Sequence, residues 1–178
     1  MIDLPGSTAA PTFESPLDML RACHVRIMAQ CGTLHKLMRH LPAHGCDTQA
    51  RQAAQAILRY FDTSGQYHHQ DEEMDLFPLL LATPSVEAHE LILHLLGEHH
   101  GMDAAWLRLR TRLQSIADGH SAVLEESVVS TFSNAYERHI ALENAQLLPI
   151  SARLLSQQQL QELGDRMAAR RGVSLITL

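Results

Sequence analysis

The chain has 178 residues, 46% of them hydrophobic but only 4% aromatic, and a formal charge of −6. That length suits a single domain with a sizeable core, and the acidic balance gives no support to a nucleic-acid or acidic-membrane partner. The three cysteines are an odd number without CxxC spacing, so no disulfide framework is expected.

Residues 1–14, with Pro5, Gly6 and Pro11 and no periodicity, read as a flexible tail. This segment has neither a basic region nor an apolar core, so it is not read as a signal peptide. No apolar run reaches membrane-spanning length, and a cytoplasmic protein is expected. Ser15-Pro16-Leu17-Asp18 predicts a helix start, with a hydroxyl N-cap, proline in the first turn and an early acid. The first helix is predicted to run to about Leu41, with Leu20, His24, Ile27, Cys31, Leu34 and Met38 on one face. Pro42 to Gly45 reads as a break.

Asp47 should cap a second helix that ends or kinks at Pro78. After Thr83-Pro84-Ser85, a third helix should reach Ala117, carrying Ile92, Leu95, His99, Met102 and Trp106 along one stripe. Asp118-Gly119 is a stop signal. A fourth helix is predicted from about Ser121 to Leu148, closed by Pro149, and a short fifth from about Ser156 to Arg171. The fold class expected is all-α, an antiparallel up-down four-helix bundle over 15–150. Residues 151–178 should form a C-terminal helix packed on or extending it.

Twelve residues are histidine, far above ordinary usage. Two segments share one pattern: His68, Glu72, Leu76, Pro78 and His139, Glu143, Leu147, Pro149 fall at identical spacing. Residues four apart share a helix face, so each HxxxE can present an imidazole and a carboxylate to one centre. In an antiparallel hairpin, residues equidistant from the turn lie side by side. His24 and His68 are centred on Cys46, His68 and His99 between Thr83 and Pro84, and His99 and His139 on Gly119. One histidine from each helix therefore falls on a common layer, about 30 Å from the first turn at ~1.5 Å per residue.

The bland alternative is a set of satisfied core histidines with the glutamates in salt bridges. For four imidazoles and two carboxylates at one apolar level, burial without metal would be too costly. Imidazole and carboxylate without thiolate fit iron or manganese, with zinc also admitted. His69 is at the same level, rotated one residue from His68. His100, Glu73 and Glu98 are placed as supports of the ligands or as surface groups. His35, His40, His44, His89, His94 and His120 read as packing or solvated residues, and the acids Asp71, Glu72, Glu73 and Asp75 as in part a solvated face.

The stretches "HHQDEEMDLFP", "GEHHG" and "ERHIALENAQLLP" resemble the helix 2, 3 and 4 motifs of the hemerythrin/HHE cation-binding family, over about residues 16–150. The resemblance implies a metal set of His24, His68, Glu72, His99, His139 and Glu143, with the two carboxylates bridging. Iron-sensing relatives in which the residue after the helix-2 histidine binds metal add His69. Oxygen-carrying members have a further helix-3 histidine where Leu95 stands here, and end on HxxxxD rather than HxxxE. The implied cofactor is two iron ions, with manganese or zinc as alternatives, and a bridging oxo, hydroxo or water. The implied function is binding or sensing of oxygen, nitric oxide or peroxide. A di-iron redox enzyme that breaks down peroxide, or an iron-handling or iron-centre repair protein, is the alternative. The partner expected is a small diatomic or peroxide ligand, not nucleic acid or membrane.

Overall fold

A computed structural model describes residues 12–173 and consists of five helices in chain order. Most of the tail expected at 1–14, and residues 174–178, lie outside the described residues. Helix α1 spans Pro16–His44, α2 spans 48–81, α3 spans Val86–Ala117, α4 spans 126–154 and α5 spans Gln157–Arg170. No helix among the described residues is long and apolar enough to cross a membrane.

Three of the predicted starts are capped as the sequence suggests. Asp47 Oδ1 accepts from the Ala50 amide at 2.8 Å and Ser85 Oγ from the Ala88 amide at 3.2 Å. Ser156 and Gln159 form a reciprocal capping box at α5. Ser15 differs: its side chain makes no cap hydrogen bond, and α1 is opened by Pro16 and Asp18 instead. The turn after α1 is made by Gly45 at φ 67°, a conformation that glycine adopts without penalty.

Several helix ends lie further on than expected. Pro42 sits inside the last turn of α1, where its missing amide forfeits a single bond near the end. Pro78 does not end α2, nor Pro149 α4. Each follows a wide π-helical turn, at Asp71–Leu76 and Glu143–Leu147, and opens a further α-helical segment. A proline is tolerated where the regular i to i−4 ladder is already interrupted. Helix α4 starts at Glu126 rather than Ser121, because the residues after Gly119 form a non-helical connection.

Four helices pack in a ring in which α1 touches α2 and α4, α2 touches α3, and α3 touches α4. The interior has two apolar clusters. One, toward the Gly45 and Gly119 turns, holds Ile27, Leu34, Ile57, Phe61, Trp106, Leu109 and Phe132. The other, toward the opposite end, holds Leu20, Leu76, Phe77, Ile92, Leu95 and Leu147, together with Leu163 and Met167 of α5. Helix α5 thus lies against α1 and the π turn Asp71–Leu76 of α2.

Leu34 is fully buried in the first cluster, ten residues along α1 from His24. Leu34→Ala should lower the unfolding free energy by about 2–5 kcal/mol in urea titrations. Metal content should stay unchanged, because that displacement along the helix is roughly 15 Å.

Candidate metal centre

Between the two apolar clusters lies a polar layer. His24 of α1, His68 and Glu72 of α2, His99 of α3, and His139 and Glu143 of α4 are each at most 1% exposed. Helical spacing puts His68 and Glu72, and His139 and Glu143, on one face of their helices. The π turns then begin at Asp71 and at Glu143, so both glutamates sit where the backbone is widened.

Ligand atoms from these residues form two groups, each within 4.8 Å: His24, His68, Glu72 and Glu143, and Glu72, His99, His139 and Glu143. Both carboxylates belong to both groups, and each divides its oxygens between them. Glu143 places Oε2 3.1 Å from His24 Nε2 and Oε1 3.1 Å from His139 Nε2. Glu72 places Oε1 3.5 Å from His68 Nε2 and Oε2 3.5 Å from His99 Nε2.

The outward nitrogens are held. His99 Nδ1 donates to Glu73 Oε1 at 2.6 Å, His139 Nδ1 to Glu98 Oε2 at 2.9 Å and His24 Nδ1 to Asn144 Oδ1 at 2.9 Å. A carboxylate can only accept, so His99 and His139 each carry a proton on Nδ1. Burial opposes charge on His139, but Glu143 and Glu98 outweigh it and raise its tendency to hold a second proton, on Nε2, in the metal-free layer. Those two Nε2 atoms lie 3.0 Å apart. Two neutral imidazoles cannot satisfy one another in that arrangement; a proton on His139 Nε2, or a cation between or beside the rings, can.

Fit to a metal pair is tested by the atoms left without partners. Both oxygens of Glu72 and Glu143, both ring nitrogens of His68 and Nε2 of His24 are buried with no hydrogen bond among the described residues. The short distances from Glu143 to His24 and His139 therefore bring atoms together without hydrogen-bond alignment. Buried polar groups in proteins are normally satisfied. Seven unsatisfied atoms converging on one layer fit ion ligation.

Charges in the metal-free layer agree. Burial, and then the neighbouring Glu143, hold the Glu72 carboxyl well above its ordinary range. Burial also opposes charge on Glu143, but His139 and His24 outweigh it and keep this carboxylate ionised well below its ordinary range. Burial, with His24 next to it, pushes His68 well down. A metal pair would supply the positive charge that lets both carboxylates ionise together.

Six of the seven residues singled out as ligands meet in these groups, and His69 stands outside both. Its ring stacks on His99 with centroids 4.2 Å apart, and its Nε2 lies 3.4 Å from the Tyr136 hydroxyl. Glu73 and Glu98 support ligands, whereas His100 is exposed and bonds to the Leu96 carbonyl of its own helix. Leu95 is wholly buried in the apolar cluster beyond the layer. Asp71 and Asp75 correct the reading of a solvated acidic face: they are 0% and 5% exposed and paired with arginines of the α5 end.

Sequence reasoning passed over Asn144 and Tyr136. Tyr136 lies three residues before His139, a spacing that could have flagged it. Asn144 follows Glu143 directly, and an α-helical reading turns it away from the layer. The π turn changes that rotation.

A family model described as Hemerythrin HHE cation binding domain matches residues 15–151. The chain belongs to the hemerythrin HHE family. An uncharacterized protein of Haemophilus influenzae is similar to it, 32% identical over 162 residues that cover 91% of this chain and 93% of the relative. Membership of this family and the clustered His and Glu side chains just described together suggest a metal-binding site.

Glu98 holds His139 through a charged hydrogen bond, and Glu98→Gln should weaken metal binding roughly 10–100-fold in chelator competition without unfolding the bundle. A second expectation concerns the metal-free protein. Burial, then His99 and His139, push His69 down to about 3 from an ordinary 6.5. The unfolded chain therefore binds a proton below pH 6.5 that the folded chain refuses, and stability falls as pH falls through that value. The loss levels off below about pH 3. His69→Gln should flatten this acid limb in thermal unfolding of metal-free samples.

Proposed function

We propose that the protein is a non-haem di-iron protein that binds or senses oxygen, nitric oxide or peroxide. One observation carries this reading: Glu72 and Glu143 each turn one oxygen toward the His24/His68 pair and the other toward the His99/His139 pair. That is the arrangement two bridging carboxylates need. The donors are imidazole and carboxylate with no cysteine in either group, which favours iron, with manganese or zinc as alternatives. Four protein donors per group fall short of the six of an octahedral ion, so room is left for an exogenous ligand.

Bound iron would supply redox-active positions able to take such a ligand. The chain's residues set what reaches them. With every ligand side chain at most 1% exposed, access is restricted to molecules of a few atoms. Leu20, Ile27, Leu76 and Leu95, each buried and three or four residues from a ligand on its own helix, belong to the apolar clusters on either side of the layer. Glu73, Glu98 and Asn144 fix ring orientation, so that Nε2 faces inward on three helices. The three cysteines are free, which supports a reducing, cytoplasmic setting.

A second reading, peroxide breakdown, is favoured by Tyr136 and His69. A hydroxyl and an imidazole 3.4 Å apart at the edge of the layer are groups that can pass a proton to a leaving oxygen.

Metal analysis of protein purified from its source, followed by optical spectra with oxygen, nitric oxide and peroxide, tests both. We expect two iron ions per chain and a stable ligand-bound spectrum; steady turnover of peroxide would favour the enzyme instead. Rapid loss of iron to an acceptor protein would favour iron handling. Glu72→Ala and Glu143→Ala should each lose both ions together, and one ion per fully loaded chain would overturn the pair. His69→Ala should lower occupancy as much as His99→Ala if His69 is a direct ligand, and leave occupancy unchanged if it only stacks.

A further inference from the structure

We propose that the C-terminal helix is a positioning element of the metal centre: Arg170 and Arg171 hold, through Asp71 and Asp75, the π turn that aims Glu72. This rests on the reading of the His/Glu layer as a metal site.

Asp71 and Asp75 both lie in the π turn Asp71–Leu76, on either side of Glu72. They are 0% and 5% exposed, and carboxylates so buried require charged partners. Those partners come from about a hundred residues further along the chain. Arg171 grips Asp71 with both arms, Nη2 to Oδ2 at 2.6 Å and Nη1 to Oδ1 at 3.1 Å. Arg170 bridges the two acids, pairing with Asp71 and placing Nη2 2.5 Å from Asp75 Oδ2. Arg171 is itself fixed: it donates to the Met167 carbonyl at 2.9 Å and lies over the rings of Phe13 and Tyr67, 5.7 Å from each centroid.

Glu72 depends on that grip more than Glu143 does. Both Glu143 oxygens lie 3.1 Å from an imidazole nitrogen, and the next residue, Asn144, ties its turn to His24. The Glu72 oxygens, which like those of Glu143 make no hydrogen bond among the described residues, come no closer than 3.5 Å to the nearest imidazoles. Where its carboxylate points is therefore set by the backbone of the π turn, a conformation that regular helix geometry does not favour. The arginine clamp is what fastens that backbone. It also lies outside residues 15–151, so it is an addition to the matched domain. Coupling of this kind is reciprocal: what docks the helix tightens metal, and metal tightens docking.

The test uses the full chain and ferrous iron, titrated anaerobically against a chelator, with cobalt(II) absorption as a second readout. Arg170→Ala/Arg171→Ala should bind iron roughly 10–100-fold more weakly than wild type and show an altered cobalt spectrum. Arg170→Lys/Arg171→Lys should recover part of the affinity. Arg153→Ala, which removes an exposed pair with Glu87, should match wild type. Hydrogen exchange on wild type should show that metal removal costs residues 157–170 more protection than residues 105–116.

An alanine variant in which α5 loses protection while affinity and cobalt spectrum stay at wild-type values would overturn the proposal, leaving the clamp a stabilising contact only. Should that variant not fold, Asp75→Asn replaces it: a weakened affinity supports the proposal and an unchanged one overturns it. Wild type that takes up no iron or cobalt would be a different failure, overturning the metal reading first and the clamp with it.

Discussion

Bringing two carboxylates and four imidazoles into an apolar interior is the constraint on which the rest of this bundle depends. Each group loses its hydration, and the usual remedy, hydrogen bonding within the protein, is absent for most of the inward-facing atoms. Where the protein does supply hydrogen bonds, it spends them on the outward nitrogens of His24, His99 and His139. That choice leaves lone pairs pointing at one another across the layer, an arrangement that only added positive charge reconciles. The apolar clusters on either side do the ordinary work of stability, each fully buried leucine or phenylalanine contributing roughly 1.5–3 kcal/mol. They allow the layer to remain unsatisfied until metal arrives.

The π turns follow from the same constraint. A regular helix presents His68 and Glu72 on one face, and His139 and Glu143 likewise, but it also fixes where the next residues point. Widening the backbone at Asp71–Leu76 and Glu143–Leu147 changes that rotation just where each glutamate must reach toward both histidine pairs. Pro78 and Pro149 then stand directly beyond a place where the hydrogen-bond ladder has already slipped, and the helices continue past them. The repeated His, Glu, Leu, Pro spacing is thus the linear trace of a geometric device used twice.

Much of this was legible in the chain itself. Equal distances from the turns put His24, His68, His99 and His139 on one level, a counting rule that needs only antiparallel helices and a constant rise. Apolar stripes at three- and four-residue steps marked the helices, and Asp47, Ser85 and Ser156 marked three of their starts. What periodicity could not show was whatever departs from it. A proline read as a stop became the first turn of a further segment, because apolar periodicity does not separate a π turn from a regular helical one. Asn144, one residue past Glu143, was passed over for the same reason. The buried charge of Asp71 and Asp75 was hidden differently: its partners, Arg170 and Arg171, lie about a hundred residues away, and no local pattern joins them.

The two halves of the layer repeat in sequence but not in environment. His99 and His139 are each backed by a carboxylate, Glu73 and Glu98. His24 is backed by the neutral amide of Asn144, and the outward nitrogen of His68 has no partner among the described residues. Carboxylate backing raises the basicity of an imidazole ligand, so the His99/His139 side is the more electron-rich of the two. His69 and Tyr136 gather on that side too, with the His69 ring stacked on His99. On the α2 side, by contrast, order comes from outside the layer, through the arginines that fasten the turn carrying Glu72. A duplicated motif has in this way been given two unequal settings: one tuned by charge close to the ligands, the other by the docking of a distant helix.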